Sequence, residues 1–347
     1  MSTIKVNNID PPNVGEGVSI NGLQMPTDGP LSNRNRIING DMRIDQRNSG
    51  AAVTSGFPLD RWQIELFSGG GAANVEQVVD SPTDSFYYSM KVDVTTADTS
   101  LAAGDVYTIR QIIEGNNIVD LRYGLTGAKT VTVSFWVKSN VTGTFCAALR
   151  NGGNDRCKPK EYTISSANTW EQKTLTFTGD TSGTWGTDNG RGIQLSFCLG
   201  SGTTFQGTVD TWNASEVHCT SNQTNLFAST SNEWYVTGVQ LEVGSKATPF
   251  EHRSYGDELA RCKRYYQRYT DLSFRHYVAN VIRYFLPLDI ELRANPVSTV
   301  YSFTGTVANN NTVADTEKIT IDIQRDPAGS TGVMDLQDGT ITLDSEL

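Results

Sequence analysis

The chain has 347 residues, of which 28 are Lys or Arg and 38 are Asp or Glu, for a formal charge of −10. An acidic chain without a basic block is a poor match for nucleic acid, whose phosphates call for clustered cations; no apolar run approaches the roughly 20 residues that span a bilayer, and the polar start holds no apolar stretch of a secretory leader. Hydrophobic residues at 37% and aromatics at 9% suffice for a packed core and exclude a disordered chain.

In chain order, residues 1–33 come first as an extended arm. Pro and Gly punctuate it every few residues, so it cannot build a core alone. Yet Ile4, Val6, Val14, Val18, Ile20 and Leu23 supply spaced apolar anchors. That combination predicts a segment that orders on a partner. Residues 34–62 follow, with Ile37 and Ile38 before an Asn39-Gly40 turn signal and with Leu59 leading into Asp60-Arg61-Trp62.

From 62 to 245 the chain is a succession of short β patterns. Trp62, Ile64 and Leu66 alternate with Gln63 and Glu65, and Tyr88, Met90, Val92 and Val94 keep the same period. The clearest case is 129–139. There Val131, Val133, Phe135 and Val137 point one way while Thr130, Thr132, Ser134 and Lys138 point the other, which predicts one face on a core and one face wet. Runs at 144–150 and 171–178 repeat the theme. In 192–199 Ile193, Leu195, Phe197 and Leu199 are expected inward and Gln194, Ser196 and Cys198 outward; 233–243 closes the series. Such strands, divided by Gly, Asn and Asp turns, predict an all-β antiparallel sandwich over 34–253. The stretch 200–232 is polar and aperiodic apart from 208–212, and predicts a long surface excursion.

Residues 254–347 break the pattern. A helix is predicted over 254–269, with Ser254 as cap, Asp257 three residues on, and an apolar stripe of Leu259, Cys262, Tyr266 and Tyr269. Strands are expected at 277–286, 298–303, 318–323 and 340–343. This linking helix and small C-terminal β unit hold little core of their own.

Reaction chemistry is sparse. Nucleotide-binding, zinc-protease and nucleophile-elbow motifs are absent. Cys146, Cys157, Cys198, Cys219 and Cys262 have neither zinc nor redox spacing and are expected as buried thiols. The carboxylates fall mostly in turns. No catalytic residue, cofactor or metal ligand is assigned, although sandwich loops rich in Asp suit a structural Ca²⁺. Sugar recognition needs a flat ring against the C–H face of a pyranose and amide or carboxylate groups for its hydroxyls. Trp170, Trp185 and Trp212, with Asn213 beside the last, have that chemistry, and Trp212 is the leading candidate. Trp62, Trp136 and Trp234 lie on strand patterns and are assigned to core or interface.

Several blocks carry a resemblance. Residues 35–41 (NRIINGD), 59–62 (LDRW), 133–139 (VSFWVKS), 179–192 (GDTSGTWGTDNGRG) and 234–244 (WYVTGVQLEVG) stand in order, followed by Thr248-Pro249-Phe250-Glu251, Arg293-Ala294-Asn295-Pro296 and Ser345-Glu346-Leu347. Together they resemble a recurrent domain of bacteriophage virion proteins of the tail fibre or receptor-binding kind, over most of the chain from 34 onward. The opening 2–9 (STIKVNNI) is similar to the N-terminal segment of such fibres. The resemblance implies a jelly-roll sandwich like that of carbohydrate-binding modules, assembled as a homotrimer. It further implies a non-enzymatic virion protein, made in the host cytoplasm without a signal peptide and placed on a tail fibre rather than a head fibre. Residues 1–33 would dock on other virion proteins and the sandwich would meet a host-surface glycan, with no nucleic acid and no membrane insertion. The alternatives are a head fibre or capsid decoration protein of purely structural role, and a polysaccharide depolymerase. The short repeated rungs of a β-helix, which would favour the last, are missing.

Overall fold

The computed structural model describes residues 19–20, 23–24, 30–67, 69–276, 282–288, 290–301, 309–314, 318–324 and 334–347. The chain divides into two compact units, Met1–Arg253 and Ser254–Leu347. Of the arm, Ile4, Val6, Val14 and Val18 lie outside the described residues. Ile20 and Leu23 are register partners in a two-stranded pair, β1 (Ser19–Ile20) and β2 (Leu23–Gln24).

The body of the first unit comprises β3 (Gly56–Leu59), β4 (Trp62–Phe67), β5 (Ala72–Val78), β6 (Ser89–Thr96), β7 (Val106–Glu114), β8 (Val131–Ser139), β9 (Gly143–Asn151), β10 (Cys157–Ile164), β11 (Glu171–Phe177), β12 (Arg191–Ser201) and β13 (Glu233–Val243). They form a six-stranded sheet in the order β10-β9-β12-β7-β4-β3 and a five-stranded sheet in the order β11-β8-β13-β6-β5. Pairing is antiparallel throughout. Most neighbours are distant in sequence, as in β7 beside β12 and β13 beside β6, so the body is a jelly roll rather than a stack of hairpins.

Period-two alternation builds the core. Val131, Val133, Phe135 and Val137 have no exposure, and Ile193, Leu195 and Phe197 meet them from the other sheet. The Phe197 ring lies 4.9 Å from Phe135 and 5.6 Å from Trp234, across the two layers. Each such side chain contributes about 1.5–3 kcal/mol on burial.

The segment before β3 fastens this core. The Asn39 side chain donates to Ile44 O and Asp60 O and accepts from Ile44 N, while Trp62 Nε1 donates to Asn39 O. Asn35 ties the same segment to β13 through Val239 O and Leu241 N. Gly40 is required here: a Cβ would stand 2.2 Å from Val239 O. Arg253 donates to Ile37 O and Glu251 accepts from Asn35 N, so the two ends of the body are held together. The blocks that carry the sequence resemblance at 35–41 and 59–62 are thus architectural.

The expectation of wet outer faces is corrected. On β8, Thr132 and Ser134 are buried, with Thr132 donating to Gly244 O at 2.8 Å. On β12, Gln194, Ser196 and Cys198, expected outward, are as buried as their inward neighbours. The predicted surface excursion lies over them. Asn213 and Cys157 exchange backbone hydrogen bonds, Thr224 N donates to Thr144 O at 2.7 Å, and Cys219 joins Cys146 and Cys198 in a buried cluster. The covering is polar on polar, so apolar periodicity does not report it. Beneath it Glu65 is paired to Arg110 and, at 2.7 Å, to the fully buried Arg150, which also reaches Glu216 Oε1 at 3.1 Å and His218 Nε2 at 3.2 Å. Burial works to raise the Glu65 carboxyl, but the Arg150 and Arg110 charges outweigh it and hold the group below its ordinary range. Burial first, and then Arg150, push the His218 imidazole down.

The second unit opens with α1 (Tyr255–Lys263), whose Ser254 cap accepts from Asp257 N at 3.2 Å. The helix is shorter than predicted. Tyr266 and Tyr269 belong to a strand, β14 (Tyr266–His276), because this β-favouring Tyr/Thr run pairs with the C-terminal strand instead of extending the helix. The remaining strands are β15 (Ile282–Pro287), β16 (Val297–Tyr301), β17 (Asn309–Ala314), β18 (Lys318–Gln324) and β19 (Met334–Asp344), in sheets β14-β19-β16 and β15-β18-β17. Residues 277–281 of the strand expected at 277–286 lie outside the described residues. Arg293 donates to Ser345 O and Glu346 O, and Ser345 N to Tyr265 O, so the closing sequence blocks also serve architecture.

Candidate functional site

The outer face of the five-stranded sheet carries an aromatic and charged row. Alternation on β8 sends Trp136 and Lys138 outward. Register then places Tyr235 of β13 opposite Lys138 on one side and opposite Lys91 of β6 on the other. Trp170 stands one residue before β11 and completes the row. The Lys138 ammonium is 4.2 Å from the Tyr235 ring centre and 5.3 Å from that of Trp170, and Lys91 is 5.9 Å from Tyr235. These are cation–π distances. The two rings lie 6.3 Å apart at 69°. Trp136, Trp170 and Tyr235 are all half-buried.

Carboxylates fix the row. Trp170 Nε1 donates to Asp80 Oδ1 at 3.0 Å, and Lys138 pairs with Asp80 Oδ2. Tyr235 Oη donates to Glu233 Oε2 at 2.8 Å, and Lys91 pairs with Glu233 Oε1 at 2.7 Å. Partial burial works to raise Asp80, but the hydrogen bonds from Lys138 and Trp170 and the Lys138 charge outweigh it and lower the group. The hydrogen bond from Lys91 does the same for Glu233. Burial, then the hydrogen bond to Glu233, push the Tyr235 phenol well up. The Asp80 and Glu233 carboxylates are therefore ionised at neutral pH, and the rings between them are held rigidly. Such a surface can offer ring edges to C–H groups and charged acceptors and donors to hydroxyls.

Of the candidate ligand residues singled out in the sequence, only Trp170 lies in this row; Trp136, assigned to core or interface, also stands on this outer face, half-buried. Trp185 and Trp212 come together elsewhere, at the end of the body, with Tyr123. Ring centres there are 4.7 Å for Tyr123–Trp185, 5.5 Å for Trp185–Trp212 and 6.0 Å for Tyr123–Trp212. Trp185 is 7% exposed, and its indole N–H donates to Ser182 O; that of Trp212 donates to Thr178 O. Asn213 spends its side chain on Thr208 N, Thr208 O, Thr211 O and Cys157 O, pinning the covering segment. Sequence reasoning missed Asp80, Lys91, Lys138 and Tyr235. The available signal was Trp136 and Lys138 at outward positions of a strand whose inward face is wholly apolar. All five cysteines are buried. Among the described residues no three His, Cys, Asp or Glu converge to hold a metal ion, and no helix is long and apolar enough to cross a membrane.

No protein-family model matches the chain, and no curated protein matches it in sequence. Solved structures do show likeness. The enzymatically active domain of tailspike protein 4 of bacteriophage CBA120 is 14% identical with a TM-score of 0.33, and the match covers 60% of this chain and 21% of that one. The carbohydrate-binding module TmCBM61, in complex with β-1,4-galactotriose, is 13% identical with a TM-score of 0.31, covering 60% of this chain and 99% of that one. The family 11 carbohydrate-binding module of Clostridium thermocellum, in complex with a β-1,3-1,4-mixed-linked tetrasaccharide, is 14% identical with a TM-score of 0.30, covering 58% and 97%. This chain thus spans about a fifth of the phage protein's length.

Proposed function

We propose that this chain is a non-enzymatic attachment protein of a phage virion, docked through residues 1–33 and presenting its sandwich to a host-surface glycan as a homotrimer. The observation that carries the glycan reading is the row of half-buried Trp170 and Tyr235 held between Lys138, Asp80 and Glu233 on an outer sheet face. Rigid rings lose little entropy on binding, and fixed charges beside them orient hydroxyl groups. A single such face binds weakly, and threefold display multiplies its effect. The phage placement rests on the ordered sequence blocks from 34 onward.

The test is adsorption. Purified full chain should bind host cells and compete with phage infection, and Trp170→Ala should lose both effects while its melting curve stays that of a folded protein. Incorporation into particles without any competition for adsorption would overturn the attachment role in favour of decoration. Release of reducing ends from host polysaccharide would overturn the non-enzymatic reading.

A further inference from the structure

A cleft of about 390 Å³ opens between the β9–β10 hairpin and the loop leading into β12, lined by Asn151, Gly152, Gly153, Asp155, Thr184, Gly186 and Arg191. Its size falls in the range of small-ligand sites. Its walls are preformed. Asn151, 1% exposed, donates to Asp155 Oδ1 at 2.5 Å and to Thr184 O at 2.9 Å, and accepts from Asp155 N and Arg156 N. Arg156 clasps Asp180 through two bonds of 2.6 and 2.8 Å, which fixes the loop against the hairpin.

Two glycines seat the residue that matters. The Arg191 carbonyl lies 2.6 Å from where a Cβ on Gly152 would be and 2.4 Å from where one on Gly186 would be. Only glycine at both positions lets the Arg191 backbone close between the walls. The Arg191 guanidinium has no hydrogen-bond or ion-pair partner among the described residues, unlike Arg110, Arg150 and Arg156 nearby. Asp155 Oδ1 is held by Asn151, while its Oδ2 makes no hydrogen bond among the described residues.

We propose that this cleft is a binding site for an acidic sugar, with Arg191 taking the carboxylate and Asp155 Oδ2 accepting a hydroxyl. An open guanidinium fork matches a carboxylate in two parallel bonds. A carboxylate lining the same cleft disfavours a dianion such as phosphate and accepts from neighbouring hydroxyl groups, so the pair selects one negative charge set among hydroxyls. Glycine and polar walls offer no ring for stacking, which separates this cleft from the Trp170 row. The inference stands apart from the attachment reading.

Titration calorimetry on the full chain tests it with sodium glucuronate, glucose and inorganic phosphate. Saturable glucuronate binding is expected, with glucose and phosphate at least about tenfold weaker. Arg191→Gln and Asp155→Asn should each weaken glucuronate by at least about tenfold. The guanidinium holds no structural partner, so Arg191→Gln should keep the parent melting curve; should it unfold, Asp155→Asn decides. Equal affinity for glucose, equal affinity for phosphate, no saturable glucuronate binding, or a variant pair that binds like the parent would each overturn the site.

Discussion

The indole N–H of Trp170 and the ammonium of Lys138 share one carboxylate, that of Asp80, each on its own oxygen. Lys138 in turn lies over the Tyr235 ring. A single anion thus sets the position of a ring and of the cation stacked between two rings. Asp80→Ala should free both and weaken glycan adsorption as strongly as Trp170→Ala, roughly tenfold, or about 1.4 kcal/mol. Equilibrium binding of the two variants and their double mutant checks this. Additive losses would mean that the carboxylate does not act through the ring.

Glu65 bridges two arginines in a buried layer. Glu65→Gln leaves Arg110 without its carboxylate and Arg150 with Glu216 alone, and should cost about 3–5 kcal/mol of unfolding free energy by chemical denaturation. Its carboxyl is lowered from the ordinary 4.5. The stabilisation it gives is therefore present above that value and is lost as pH falls through the lower, folded-state value. The parent should lose stability in that acid window, and the variant should show a flatter profile there.

Asp60 behaves in the opposite sense. Burial, partly offset by the Gln46 hydrogen bonds, raises it from 3.8 to about 6. Its favourable contribution is complete below 3.8 and is lost as pH rises through about 6. Asp60→Asn, which copies the neutral form, should melt higher than the parent at pH 7.5, by up to ~3 kcal/mol. The gap should close near pH 4. Paired melts across that range decide it.

A methyl group at Gly40 would meet the carbonyl of Val239. Gly40→Ala should destabilise by about 1–3 kcal/mol, seen as a lower denaturation midpoint.

Removing residues 1–33 should leave a folded body that no longer enters particles. Incorporation of the shortened protein at the parent level would show that docking lies elsewhere.

The jelly roll was legible where alternation is clean: the apolar positions of β8, β12 and β13 are all buried, although most of their polar neighbours are buried too. It was not legible in β10, where Lys158, Pro159 and Lys160 hide an edge strand. Pro is tolerated at a sheet edge, and the two lysines reach Thr178 and Thr176 O instead of solvent. The helix end was misplaced because Tyr266 and Tyr269 satisfy both a helical stripe and a strand, and only pairing with β19 chooses. Trp170 could be read as a ring in a polar setting. Its partners Asp80, Lys138 and Tyr235 could not, since they come from three other places in the chain and meet only through strand register.

The segment 202–224 lies across the six-stranded sheet of the first unit, so that flank of the sandwich is closed by the chain itself. A partner of this unit therefore has no access to the polar row of Gln194, Ser196 and Cys198.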